Sequence, residues 1–275
     1  MSDSVLGQAH SAWMQARALM ADESAGTTDA AGKNTAEITT LLRRALADGI
    51  PAAGGDLGRH LIRTANGQRE VLAEALEVLA AAAKAGGHSD ALSYARAVHF
   101  LPPDLTAEHY VRAASSLNDL LRTAPSVEAI VFTGYMLASG QGYAANPTRA
   151  RAMMQAAADA GSADALFELY VYDATGLTGP ANLNTAMTRL HQAAKLGHAR
   201  AMANLAGAYA TGTGISRDPS RALTWYLRAA EAGSVRAAAT LARMYGTGQG
   251  VEQNDAKSAR YARRAHELAN RPLEV

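Results

Sequence analysis

The chain has no cysteine, which excludes disulfides and thiolate metal sites outright. Aromatic residues make up only 5% of it, although apolar residues reach 48%. Alanine carries much of that apolar fraction, and it is the strongest helix former with a very small side chain. Strands would require more valine, isoleucine and aromatic content, so the composition predicts helices packed closely side by side. Lysine is nearly missing, at 4 of the 26 basic residues, a bias that reads as the coding habit of a GC-rich bacterial genome. No run reaches the ~18 apolar residues of a membrane span. The start, Met1-Ser2-Asp3-Ser4, has no basic segment and no uninterrupted apolar run before Arg17, so it does not read as a signal peptide. These absences predict a cytoplasmic protein, or a periplasmic one if a leader has been removed, without membrane insertion.

Charge of either sign is also thin. The formal net charge is +1, far from the basic balance expected of a nucleic-acid-binding domain. It is unevenly spread. Residues 1–148 hold 11 basic against 15 acidic residues, and 149–275 hold 15 against 10, so the two halves differ in electrostatic preference. At 275 residues the chain is long enough for one elongated domain or two compact ones.

What the sequence does have is a period. Gly140, Gly176, Gly212 and Gly248 recur every 36 residues, as do Gly161, Gly197 and Gly233. Asn146, Asn182, Asp218 and Asn254 form a third series, Ala129, Ala165, Ala201 and Ala237 a fourth, and Ala157, Ala193, Ala229 and Ala265 a fifth. Each series has a physical role. Asn146 and Asp218 precede Pro147 and Pro219, the arrangement of a helix N-cap followed by proline at the first helical position. The series at Gly161 marks left-handed helix ends, and that at Gly140 marks the turn after a first helix. The alanines are expected at helix crossings, where a larger side chain would push the pair apart.

One unit therefore reads as a helix A of about 13 residues, a glycine turn, a helix B of about 15 and a sharp turn. The clear units are 126–161, 162–197, 198–233 and 234–270. Gly49, Gly86 and Pro125 continue the rhythm upstream at spacings of 37 and 39, which predicts divergent helical repeats over 36–125. Residues 1–35 read as a leading helix at about 4–21 followed by a flexible loop over 22–35. The last helix, with Lys257, Arg260, Arg263 and Arg264, reads as a polar end-cap.

The run from Tyr209 to Ala237 resembles a Sel1-like repeat. Tyr209, Gly212, Gly214, Asp218, Arg221-Ala222, Trp225-Tyr226, Ala229-Ala230 and Gly233 carry the likeness, and the next unit repeats it with Tyr245, Gly248, Gly250, Asp255, Lys257, Tyr261 and Ala265. The 162–197 unit departs from the pattern, with Thr178 in place of the second turn glycine and Arg189 where Trp225 stands. The resemblance covers 126–270. It implies a tetratricopeptide-like, right-handed α-solenoid of antiparallel helix pairs, and a role such as adaptor, assembly scaffold or immunity protein against a secreted toxin.

Catalytic and cofactor signatures are missing. The G-x-G runs at 212–216 and 246–250 recur with the period and read as structural turns, and GGDLG at 54–58 reads as a loop before a short helix. None is followed by the Gly-Lys-Ser/Thr of a phosphate loop. The eight histidines include no His-Glu-x-x-His and no pair four apart on one helix, and no nucleophile elbow is present. No metal and no cofactor is therefore expected. Trp13 and Tyr226 are possible interface aromatics, while Tyr209, Tyr245 and Trp225 read as packing.

The expectation is an all-α, non-enzymatic scaffold that binds another protein or peptide, with no nucleic acid as partner. In helix-pair solenoids the A helices line the concave side. Glu128, Glu168, Arg200, Asn204, Arg236, Thr240 and Arg243 lie on A helices outside the packing set and are the candidate partner-binding residues. The alternative is an enzyme or small-ligand protein with a site between repeats.

Overall fold

The computed structural model describes residues 3–24 and 31–273, and among the described residues it is helical without strands. The chain divides into two compact units, one within residues 1–145 with the last few residues and one spanning 146–271. The fold is a helical-repeat solenoid of antiparallel helix pairs.

In the first unit α1 (Asp3–Ser24) packs on α2 (Ala31–Ala47), and α3 (Ala52–Thr64) on α4 (Arg69–Lys84). α5 (His88–Phe100) packs on α7 (Tyr110–Thr123), with the short α6 (Pro103–Thr106) and a 3-10 turn between them, and α8 (Val127–Ser139) follows. The core holds Leu57, Leu76, Leu79, Tyr94 and Leu117. The buried Tyr94 hydroxyl is satisfied by His109 Nδ1 at 2.8 Å, and burial pushes that phenol up in pKa.

Two expectations change here. The loop expected over 22–35 is helical at both ends, because α1 continues through Ser24 and α2 begins at Ala31; residues 25–30 lie outside the described residues. α1 is thus half of a pair rather than a lone leader. Its Trp13 indole donates to Asp56 Oδ2 at 2.8 Å, so this aromatic joins α1 to α3. The run GGDLG is not a loop either. It lies inside α3, where Cβ atoms would collide with neighbouring helices: one at Gly55 would lie 2.0 Å from Asp90 Oδ1, and one at Gly58 would lie 2.5 Å from Leu79 Cγ. These glycines mark close helix approach, and the helix accepts their propensity cost for it.

The second unit shows how the period works. It runs α9 (Pro147–Asp159), α10 (Ala163–Thr175), α11 (Leu183–Lys195), α12 (Ala199–Thr211), α13 (Pro219–Glu231), α14 (Val235–Thr247) and α15 (Asp255–Ala269). α10 pairs with α11, α12 with α13 and α14 with α15, and each pair packs on the next. Helices α9 to α14 have 13 residues each, so the B helices at α9, α11 and α13 are shorter than the sequence suggested. Asn146, Asn182, Asp218 and Asn254 cap the B helices, each side-chain oxygen accepting from the backbone N–H three residues on. The backbone N–H groups of Asn182, Asp218 and Asn254 donate to the carbonyls of Asp173, Tyr209 and Tyr245 at 2.8–2.9 Å. The A-to-B turn is therefore closed from both sides.

Each A helix of this unit ends on a glycine in the left-handed conformation, with φ of +73° at Gly176, +82° at Gly212 and +72° at Gly248. Ala165, Ala201, Ala237, Ala157, Ala193 and Ala229 are fully buried, as crossing points require. A further cap series, not among the sequence expectations, starts the A helices: Ser162, His198 and Ser234 accept from the N–H of Ala165, Ala201 and Ala237. His198 fills a serine slot because its Nδ1 lone pair accepts at 3.0 Å. The closing helix α15 has no buried residue.

These local interactions set measurable stabilities. Asp218→Ala should cost about 1 kcal/mol in denaturant unfolding, and His198→Ala a similar amount, while His198→Ser should be near neutral. Gly58→Ala should destabilise by about 1–2 kcal/mol despite alanine's better helix propensity, because Leu79 must move.

Candidate functional site

The A helices of the second unit place Glu168 on α10, Arg200 and Asn204 on α12, and Arg236, Thr240 and Arg243 on α14. Glu168 and Arg200 are 32 residues apart and interact electrostatically. Asn204 and Arg236 are also 32 apart, and the Arg236 guanidinium donates to Asn204 Oδ1. The same register thus links α10 to α12 and α12 to α14, and the sequence-predicted polar residues form a ladder across three successive A helices. Arg200, Arg236 and Arg243 are exposed, while Glu168, Asn204 and Thr240 are half-buried. Glu128 belongs to the other unit. It lies on α8 in the first unit and is ion-paired with Arg96 of α5.

Beside the ladder runs a groove of about 370 Å³. Asn204, Arg236 and Thr240 contribute its polar side, and Tyr170, Met187 and Tyr226 much of its apolar side. Thr240 Oγ1 donates to the Arg236 carbonyl of its own helix, which spends its donor but leaves its oxygen able to accept. Of the two possible interface aromatics, Tyr226 reaches this groove and Trp13 does not belong to it. Tyr170 and Met187 were not singled out from sequence, because each looks like an ordinary core position in its own helix.

At the α10 end the ladder is stiffened by stacking. The His198 ring lies 4.5 Å from that of Phe167 at an interplanar angle of 24°, and the Arg200 guanidinium sits 4.9 Å from the Phe167 centroid, within cation–π range. His198 Nε2 lies 3.3 Å from Asp164 Oδ1, so the tautomer protonated at Nε2 satisfies both ends of the ring. Burial raises the Glu168 carboxyl pKa, and the charge of Arg200 offsets part of that. The groove has donors and aromatic surface suited to polypeptide recognition. Among the described residues there is no group of three or more His, Asp or Glu arranged to hold a metal ion, and no helix is long and apolar enough to cross a membrane.

The raised Glu168 pKa has a signed consequence. A carboxyl whose pKa is higher in the folded chain favours folding below its unfolded pKa, and that contribution is lost as pH rises through the folded value. Glu168→Gln should therefore raise Tm relative to the parent near neutral pH. The difference should vanish in acid below the ordinary carboxylate range, as read by thermal unfolding across pH.

Comparison with known proteins agrees with the geometry. A family model described as Sel1 repeat matches residues 127–162, 199–234 and 235–270. The intervening helix pair has the same lengths and caps, yet Asp173, Thr178 and Arg189 replace the aromatic and glycine positions of its neighbours. No curated protein matches the chain. Among solved structures, the chain is similar to a Sel1 repeat protein from Oxalobacter formigenes, with 22% identity, a TM-score of 0.60, and coverage of 92% of this chain and 99% of the other. It is more distantly similar to c5321, a protective antigen of uropathogenic Escherichia coli strains displaying an SLR fold, with 18% identity, a TM-score of 0.38, and coverage of 95% and 69%. Immunity protein PA5088 from Pseudomonas aeruginosa matches with 18% identity, a TM-score of 0.41, and coverage of 95% and 82%. The chain is a helical-repeat protein that carries Sel1 repeats at 127–162, 199–234 and 235–270.

Proposed function

We propose that this chain is a non-enzymatic scaffold or adaptor that holds a protein partner on the A-helix face of its second unit. The observation that carries this reading is the polar ladder of Glu168, Arg200, Asn204, Arg236 and Thr240 beside an aromatic-lined groove. Sel1 repeats generally serve protein–protein interaction, which supports the same reading. Arg200, Arg236 and Arg243 supply three exposed cations on successive A helices. Arginine and aromatic side chains are the residue types that anchor interfaces, and the cations select an acidic partner surface. An immunity protein that holds a secreted effector and an assembly scaffold would use this face in the same way. Glu128, paired with Arg96 in the first unit, is a contact outside the ladder.

The test is capture of the partner from the native host by the tagged chain, followed by repetition with the variant Arg200→Glu/Arg236→Glu/Arg243→Glu. All three side chains are exposed, so the variant should keep its helical circular dichroism, with a lower Tm because Arg200 loses its contacts with Phe167 and Glu168. Partner recovery should fall at least tenfold, and the residual binding should lose its dependence on ionic strength. Unchanged recovery by the folded variant would sink the assignment of this face.

A further inference from the structure

The second unit departs from its own period in one place, and the departures converge. Two repeats onward, Tyr245 and Tyr261 stack with ring centroids 5.8 Å apart. The corresponding positions of the 162–197 repeat are Asp173 and Arg189, which lie 3.2 Å apart as an ion pair. Arg151 of α9 adds a second guanidinium at 2.7 Å from Asp173 and also donates to Thr178, which stands in a turn-glycine position. An aromatic contact has thus been replaced by a charged cluster around a carboxylate that is only 7% exposed.

Stability does not account for the exchange. Burying an ion pair costs desolvation that its attraction often fails to recover, and apolar groups of similar size do as well or better; the 234–270 repeat has the aromatic solution. The cluster also leaves capacity unused. Arg189 directs Nε to Asp173 and donates from Nη2 to Gln155 Oε1, while its Nη1 and Asp173 Oδ2 are both buried with no hydrogen-bond partner among the described residues. The same residue lines a cavity of about 540 Å³ between α9 and α11, together with Gln155, Thr188, Lys195, Leu166 and Leu196. Asp159 is on the same wall, with Gln155 Nε2 donating to its carboxylate at 2.8 Å. On the cavity wall itself, two cations, Arg189 and Lys195, accompany a single carboxylate, Asp159, which already accepts from Gln155.

We propose that this cavity binds a carboxylate on a short aliphatic stem, the glutamate side chain of a bound polypeptide, with Arg189 as its principal contact. The lining cations Arg189 and Lys195 outnumber the one lining carboxylate, Asp159, and this excess positive charge selects the acid. Leu166 and the exposed Leu196 at the rim take the methylenes, and the volume falls in the range of small-ligand sites. The cavity uses a different face of α11 from the A-helix groove, which takes Leu183, Met187 and Leu190 of that helix. This proposal therefore stands whichever way the charge reversal of Arg200, Arg236 and Arg243 turns out.

The test follows the Arg189 Nε–H resonance while acetyl-Leu-Glu-Leu-amide is added to the whole chain, with acetyl-Leu-Gln-Leu-amide as the neutral isostere. The glutamate peptide should give a saturable shift in the millimolar range, and the glutamine peptide none below about 20 mM, a limit set by the weak affinity of so small a probe. Lys195→Gln, a surface change, should weaken binding about threefold. Asp173→Asn, which removes the competing carboxylate, should strengthen it by a similar factor; a purely structural cluster would predict no gain. Absence of a saturable shift, or equal responses to the two peptides, overturns the proposal. Should Asp173→Asn fail to fold, the peptide pair and Lys195→Gln still decide it.

Discussion

The second unit depends on backbones meeting through alanine. Ala165, Ala201 and Ala237 on the A helices, and Ala157, Ala193 and Ala229 on the B helices, bury their methyl groups completely. Such contacts gain little from any one side chain. Their strength comes from many short-range dispersion contacts between closely approaching surfaces. A core of this kind has little room to rearrange, so helix ends must be placed accurately. The caps do this in α9 to α14: an acceptor side chain begins each helix, and a left-handed glycine at or just beyond the last turn ends it. Small-residue packing and capping are two halves of one constraint.

That constraint explains what the sequence disclosed. Gly140, Asn146, Gly161 and their successors were legible because each has one physical role that few residue types can fill, so identity survives repetition. The A-helix polar row was legible for a related reason, since Glu168, Arg200, Asn204, Arg236 and Thr240 sit where the packing set leaves gaps. Their pairing at a separation of 32 residues was not legible, because it depends on how far one A helix is advanced along the next. His198 was missed because a histidine does not look like a cap until its Nδ1 is seen to accept the bond. GGDLG was misread because glycine in a helix interior normally argues for a loop, and only the nearness of Asp90 and Leu79 makes the substitution intelligible. Asp173 escaped for the opposite reason: it occupies a tyrosine position, and an isolated carboxylate looks like surface until its two arginines are found.

The two units use polar groups differently. In the first, Trp13, Asp56, Arg59 and Asp90 form a half-buried chain of hydrogen bonds and ion pairs that joins α1, α3 and α5. Such a network fixes which helix faces meet, a specificity that alanine contacts alone supply poorly. In the second, aromatic residues fix the faces instead, with Arg221 lying over Tyr209 and Lys257 over Tyr245 at 5.7 and 5.0 Å. The 162–197 repeat is the one place there where buried charge returns.

The uniform 13-residue length of α9 to α14 limits how such a chain can change size. Adding one residue inside an A helix would turn everything beyond it by about 100° and swing its alanines away from the crossing. Length can therefore vary only where no helix face is carried forward. The step from α5 to α8 obeys this. Their first residues are 39 apart rather than 36, and the intervening stretch holds α6 and a 3-10 turn that no other described repeat possesses. Insertions and deletions that survive in this fold should collect in its turns, leaving the helices as units of fixed length that evolution can copy, exchange or delete whole.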